Sequence, residues 1–290
     1  MSSTAQSKAL GGTRLTPRQM TGRILTYAVL ILTVLVILFP VYWMVTTSLK
    51  LPRDIVRTPS LWIQVLTMEN YRILLDDKGF LLNIRNSLIV ASAVTVISLI
   101  ISSFAAYSLM RFRYRFRGLI GRLILFAYLT PTSLLFIPLS ILMARLNLGN
   151  SLYGLILVYL TFSLPLATWL LSGYFRSVPR ELEEQGLIDG LSRMGSLIRI
   201  VLPLSAPGLA AVAIFTFTGA WNELLLALVL ITSESSRTAP LALNYLITSD
   251  VLPWGPLMAG AVLSSVPLMV LYFIAQRFMV QGMTAGSVKG

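Results

Sequence analysis

The sequence predicts an all-α polytopic membrane protein with six membrane spans. Three observations carry this: 56% of its 290 residues are hydrophobic, only 12% are charged, and the mean hydropathy is +0.80. A soluble domain devotes about a quarter of its residues to charge.

The spans follow from length. A bilayer core about 30 Å thick takes roughly 20 mainly apolar residues per helix, and the stretches 21–45, 86–110, 119–143, 151–175, 207–231 and 256–279 meet that requirement. The first is too long for a secretory leader and is followed by no small-residue cleavage site, so it reads as a retained span. Within the later spans Pro131, Pro138, Pro165 and Pro267 free carbonyls and mark bends. Ser102, Ser103, Ala105 and Ala106 are small enough for close helix packing.

Orientation comes from Lys and Arg, which short cytoplasmic segments retain. Lys8, Arg14, Arg18 and Arg23 precede the first span without an acid, and Arg111, Arg113, Arg115 and Arg117 crowd the turn after the second. Both termini are therefore expected on the cytoplasmic side. The chain divides into a tail (1–20), a first span with an extracytoplasmic loop (21–81), a transmembrane domain (82–277) with a cytoplasmic loop (176–206), and a second tail (278–290).

The net charge of +12 is spread over short inter-span segments, which speaks against nucleic acid as partner. The alternating RFRYRFR turn reads as cationic anchors and interfacial aromatics at a membrane boundary. Membrane lipid is the expected surrounding. With no Cys and no His, a disulfide framework, thiolate chemistry and an ordinary zinc site are excluded. His-dependent catalysis goes with them, and the 190–194 segment fails the GxSxG elbow.

One stretch breaks the apolar pattern: PRELEEQGLIDGLSRMGSLIRIVLPLSAP, residues 179–207. Ser177 is placed to cap a helix, Pro179 fits a first turn, and Glu181, Glu183 and Glu184 complement the positive helix end. Gly190 can end that helix in a left-handed conformation. Ser192 can cap a second, whose Met194, Leu197, Ile198 and Val201 recur with helical spacing. Pro203 and Pro207 break the chain before the fifth span. Such a helix pair either lies flat on the headgroups or docks a partner. The acidic edge fits an anionic leaflet poorly, and Gly186 with Gly190 leaves room for another chain, so docking is favoured.

The ordered positions Pro179, Glu181, Leu182, Glu184, Asp189, Gly190, Ile200, Leu202, Pro203 and Pro207 resemble the coupling loop of bacterial binding-protein-dependent ABC importer permeases. The tail QRFMVQGMTAGSVKG and the WNE triplet at 221–223 are similar to those of carbohydrate permeases of the maltose MalG type. Gln185, Gly186 and Leu191 stand where that family pattern has alanine.

The resemblance implies a type I importer permease fold and import of a sugar, such as maltose, trehalose, another oligosaccharide or a glycerol phosphate. It implies as partners a homologous second permease, an ATPase dimer and an extracytoplasmic solute-binding protein. Glu181, Glu184, Gln185, Gly186, Asp189, Gly190 and Pro203 would then couple to the ATPase, with Thr284, Gly286 and Lys289 as a second contact. ATP and magnesium would bind that partner and no cofactor this chain, which carries no GxxxxGK[ST] loop.

Glu223 is an acid placed deep in a span, and with Trp221 and Asn222 it is the candidate for the substrate pathway; the alternative is that it braces a helix interface. An ion-coupled secondary transporter would normally need a cluster of such groups, and Glu223 is nearly alone.

Overall fold

The computed structural model describes residues 17–56, 60–247 and 252–286. It is built from helices, of which eleven organise the molecule: α1 (Pro17–Ser48), α2 (Phe80–Arg111), α3 (Arg117–Leu129), α4 (Thr132–Arg145), α5 (Leu152–Ser177), α6 (Arg180–Ile188), α7 (Arg193–Leu204), α8 (Ala206–Asn222), α9 (Leu225–Leu230), α10 (Ala239–Ile247) and α11 (Trp254–Gly286).

Four of these, α1, α2, α5 and α11, are long and apolar enough to cross a membrane unbroken. The other two expected spans are bent. The 119–143 stretch is α3 and α4, meeting at 95°. Thr130 is extended and Pro131, which has no N–H to continue a ladder, caps α4. Before the fifth span α7 and α8 meet at 79° around Ser205, beside Pro203 and Pro207. The 207–231 stretch is also divided, because Glu223 is extended between α8 and α9.

The bundle centres on α2 and α5, which pack along one another, with α8 lying across both and α11 joining α8. Ser98 and Ser163 hydroxyls share a 2.8 Å hydrogen bond between α2 and α5, while Ser102 and Ser103 turn back to carbonyls of their own helix. Ser102, Ser103 and Ala106 are buried, as the packing reading expected, and Ala105 is partly buried.

Apolar clusters follow the bundle from end to end. Leu74, Phe80, Ala239 and Ala259 close one end. Val94, Leu155, Val158 and Leu226 fill the middle, and Tyr107, Leu171, Phe175, Leu197 and Val201 form the other end. By contrast α1 packs along α11 and leaves its apolar side chains uncovered, as expected for a helix facing lipid.

The last helix runs to Gly286, so the segment expected as a tail from 278 continues α11. Thr284 and Gly286 lie in its final turns, and Lys289 lies outside the described residues.

Candidate functional site

The 176–206 segment sits at one end of the bundle, against the C-terminal ends of α2 and α5. Its first helix begins two residues later than Ser177 suggested. The Ser177 hydroxyl donates back to the Tyr174 carbonyl inside α5, and Pro179 takes the cap position of α6 without a side-chain bond. Gly190 then has φ +90°, the left-handed region that glycine enters at little cost. Ser192 caps α7 as expected, its Oγ accepting the Gly195 N–H at 3.1 Å.

Within α7 the chain widens to an i→i+5 turn over Leu197–Val201. The expected stripe therefore splits. Leu197 and Val201 are buried, while Met194 and Ile198 are about half exposed.

The inner face of α6 is held by an anchor that the spacing did not reveal. Glu183 is buried, and its Oε1 accepts the Arg111 Nε at 2.5 Å. Arg111 Nη2 also donates to the Phe175 and Val178 carbonyls at 3.0 and 2.9 Å. Tyr107 donates its hydroxyl to Glu183 Oε2 at 3.1 Å and lies 3.3 Å from the Arg193 carbonyl. One ion pair thus ties the end of α2, the end of α5, α6 and the start of α7 together. Arg111 read as a boundary anchor and Glu183 as a dipole partner; their separation in sequence gave no sign that they meet. Phe112 seals the cluster, edge-on to Tyr107 and under the Arg193 guanidinium.

Gly186 serves the same packing. A Cβ built there would lie 2.6 Å from Ile200 Cδ1 and 3.1 Å from Leu191 Cδ1. The close approach it permits is thus by its own chain and not, as expected, by another. The outer face is different in kind. Glu181, Glu184, Gln185, Asp189, Gly190 and Pro203 are exposed, and beside them Leu182, Ile188 and Met194 present apolar side chains, Ile188 with 83% of its surface free.

The residues 221–223 lie in different surroundings. Trp221 is buried and stacks on Phe217 with ring centroids 5.7 Å apart, Asn222 is exposed, and Glu223 alone lines a cavity of about 320 Å³. The Glu223 carboxylate accepts the Leu226 N–H at 2.9 and 3.1 Å and the Ala227 N–H at 3.2 Å. It therefore caps α9, a local role different from bracing a helix interface. The same cavity takes Tyr128 and Thr132 from the α3/α4 bend, Tyr159 and Ser163 from α5 and Thr216 from α8.

Comparison with known proteins adds identity to this geometry. Residues 98–285 match the family model for the binding-protein-dependent transport system inner membrane component. The chain is 38% identical over 254 residues to the sulfoquinovosyl glycerol transport system permease protein SmoH of Agrobacterium fabrum, covering 87% of this chain and 89% of that protein. It is 36% identical over 272 residues to the trehalose/maltose transport system permease protein MalG of Thermococcus litoralis, covering 92% and 97%. Among solved structures, a chain of a bacterial ABC transporter that imports the acidic polysaccharide alginate superposes with a TM-score of 0.75 at 22% identity, over 91% of this chain and 98% of that one.

Proposed function

This chain belongs to the family of binding-protein-dependent transport system inner membrane components and is a permease subunit of an ABC sugar importer; we propose that it carries force between a separate ATPase and the sugar path through residues 176–206. The observation that supports this is the two-faced build of α6. Its inner face is locked to α2 and α5 by Glu183 and Arg111, and its outer face offers Glu181, Glu184 and Asp189 around Leu182, Ile188 and Met194.

An apolar core with a charged rim is the composition of a protein interface. A contact moves an equilibrium only when it differs between two states. A rigidly mounted helix meets that need, because closure of the partner displaces the mount and the ends of α2 and α5 follow. ATP and magnesium belong to that partner in this reading.

The cargo is a sugar, by analogy with relatives named for trehalose, maltose and sulfoquinovosyl glycerol. Its path passes the Glu223 cavity, where Tyr128, Thr132 and Ser163 supply an aromatic face and hydroxyls suited to a polyol. Glu223 shapes that wall by capping α9. A homologous second permease completes the path, and an extracytoplasmic solute-binding protein delivers the sugar. A structural neighbour with a TM-score of 0.64 was solved with a periplasmic protein bound to an alginate pentasaccharide. The basic residues flanking α1 and α2 support a reading with both termini in the cytoplasm.

The test is Glu184→Lys or Gly190→Pro in the reconstituted complex. Loss of uptake with the chain still inserted is expected. Normal substrate-stimulated ATP hydrolysis in both variants would sink the coupling role.

A further inference from the structure

Four arginines surround a cavity of about 490 Å³ where the α2–α3 turn meets the start of α6: Arg111, Arg117, Arg176 and Arg180, with Glu181 also on its wall. Arg111 is neutralised by Glu183. Among the described residues the other three have no carboxylate partner.

Two of these three are held in place without being used up. Arg117 Nη1 donates to the Phe112 carbonyl at 3.2 Å and Arg180 Nη2 to the Met110 carbonyl at 3.1 Å. Each guanidinium has five N–H donors in a planar fork, so most remain free for an anion. The helices starting here, α3 and α6, have no side-chain cap, and their positive ends add to the same field. Against three unpaired cations stands one carboxylate, Glu181.

We propose that this cavity binds a phosphate group, from an anionic lipid headgroup or from free phosphate. The non-bridging phosphate oxygens, two on a lipid phosphodiester and all four on free phosphate, suit a site with guanidinium groups on several sides, and arginine recognises such oxygens through paired N–H bonds. The position favours a headgroup, because Arg117 opens a helix that enters the apolar layer and Arg176 closes one that leaves it. The bound phosphate joins the start of α3 to the start of α6 and so steadies the mount of the coupling helix. That consequence rests on the coupling role proposed above; the binding does not.

The experiment uses the purified full chain in neutral detergent and follows its thermal stability during titration with phosphatidylglycerol, with zwitterionic phosphatidylcholine and with inorganic phosphate. Saturable stabilisation by phosphatidylglycerol is expected, with affinity reduced about tenfold in Arg176→Gln/Arg180→Gln. Retention of parental affinity in Arg113→Gln/Arg115→Gln, which removes equal charge from the neighbouring turn, is expected as well.

Stabilisation by inorganic phosphate alone, lost in the same first variant, assigns the site to a free anion; stabilisation by phosphatidylglycerol assigns it to a headgroup. No saturable response, or equal weakening in both double variants, overturns the site and leaves only diffuse surface attraction. The Arg176 side chain makes no hydrogen bond among the described residues, so Arg176→Gln keeps the fold and gives a smaller loss if the double variant does not fold. Because no ATPase is involved, failure here leaves the coupling role standing.

Discussion

Removing the Glu183 carboxylate is the most demanding test of the anchor. In Glu183→Ala, Arg111 keeps its charge with only 7% of its side chain exposed, and Tyr107 keeps only the Arg193 carbonyl as acceptor. Deleting one partner of a buried ion pair costs about 3–5 kcal/mol. Two features pull the figure down here. The Phe175 and Val178 carbonyls still accept from Arg111, and the side chain borders a cavity that water can enter. About 3 kcal/mol is therefore expected.

Glu183→Gln keeps the shape and one oxygen acceptor while removing the charge. Its cost is about 1–2 kcal/mol, the difference between a charge-assisted and a neutral hydrogen bond. The assay is thermal unfolding of the purified chain for the parent, Glu183→Ala, Glu183→Gln, Arg111→Met and the double variant Arg111→Met/Glu183→Ala. The order parent, Gln, Ala is expected. The double variant should lose at least about 2 kcal/mol less than the two single losses added, since a direct pair couples. Strict additivity, or an Ala variant as stable as the parent, would refute the anchor.

Other outcomes follow from the same contacts. Gly186→Ala should leave stability within about 1 kcal/mol, because the helix-propensity gain of about 1 kcal/mol offsets a contact with the movable end of Ile200; Gly186→Leu overfills the same space and should cost about 1–3 kcal/mol by thermal unfolding. Gly190→Ala meets no atom within 4 Å but must hold φ +90°, so a purely conformational loss of about 1 kcal/mol is expected, with Gly190→Asn milder. Glu223→Ala leaves the N–H groups of buried Leu226 and Ala227 without an acceptor and should destabilise by about 1–3 kcal/mol, while Glu223→Gln retains most of the cap. Parental stability in Glu223→Ala would remove the capping role. Asn150 accepts the Thr232 and Ser233 N–H groups through Oδ1, so Asn150→Ala should loosen the α9–α10 connection by about 2 kcal/mol, read by amide exchange at those two positions.

Composition and spacing carried the class of the molecule and most of the helices, because a bilayer imposes a length on every apolar run and a helix hides its own polar backbone. They also carried the turn at Gly190 and the cap at Ser192, which depend on a few neighbouring residues. The resemblance of 179–207 and of the tail added the family from the sequence alone. Several readings within that frame moved, among them these. Ser177 ends α5 instead of starting α6, because Pro179 sets the break. Met194 and Ile198 face out because the chain widens within α7. Trp221 belongs to the core beside Phe217.

Local pattern determined what each segment is: six apolar runs, one amphipathic pair, and a basic turn after the second run. Only the tertiary structure decided what the segments do to each other. Arg111 and Glu183 lie 72 positions apart, and no periodicity relates them; the packing of α2 against α5 brings the end of one beneath the other's coupling helix. The bend that cups Tyr128 over the Glu223 cavity is of the same kind. Proline licenses a break, but its angle is set by what the broken helix packs against.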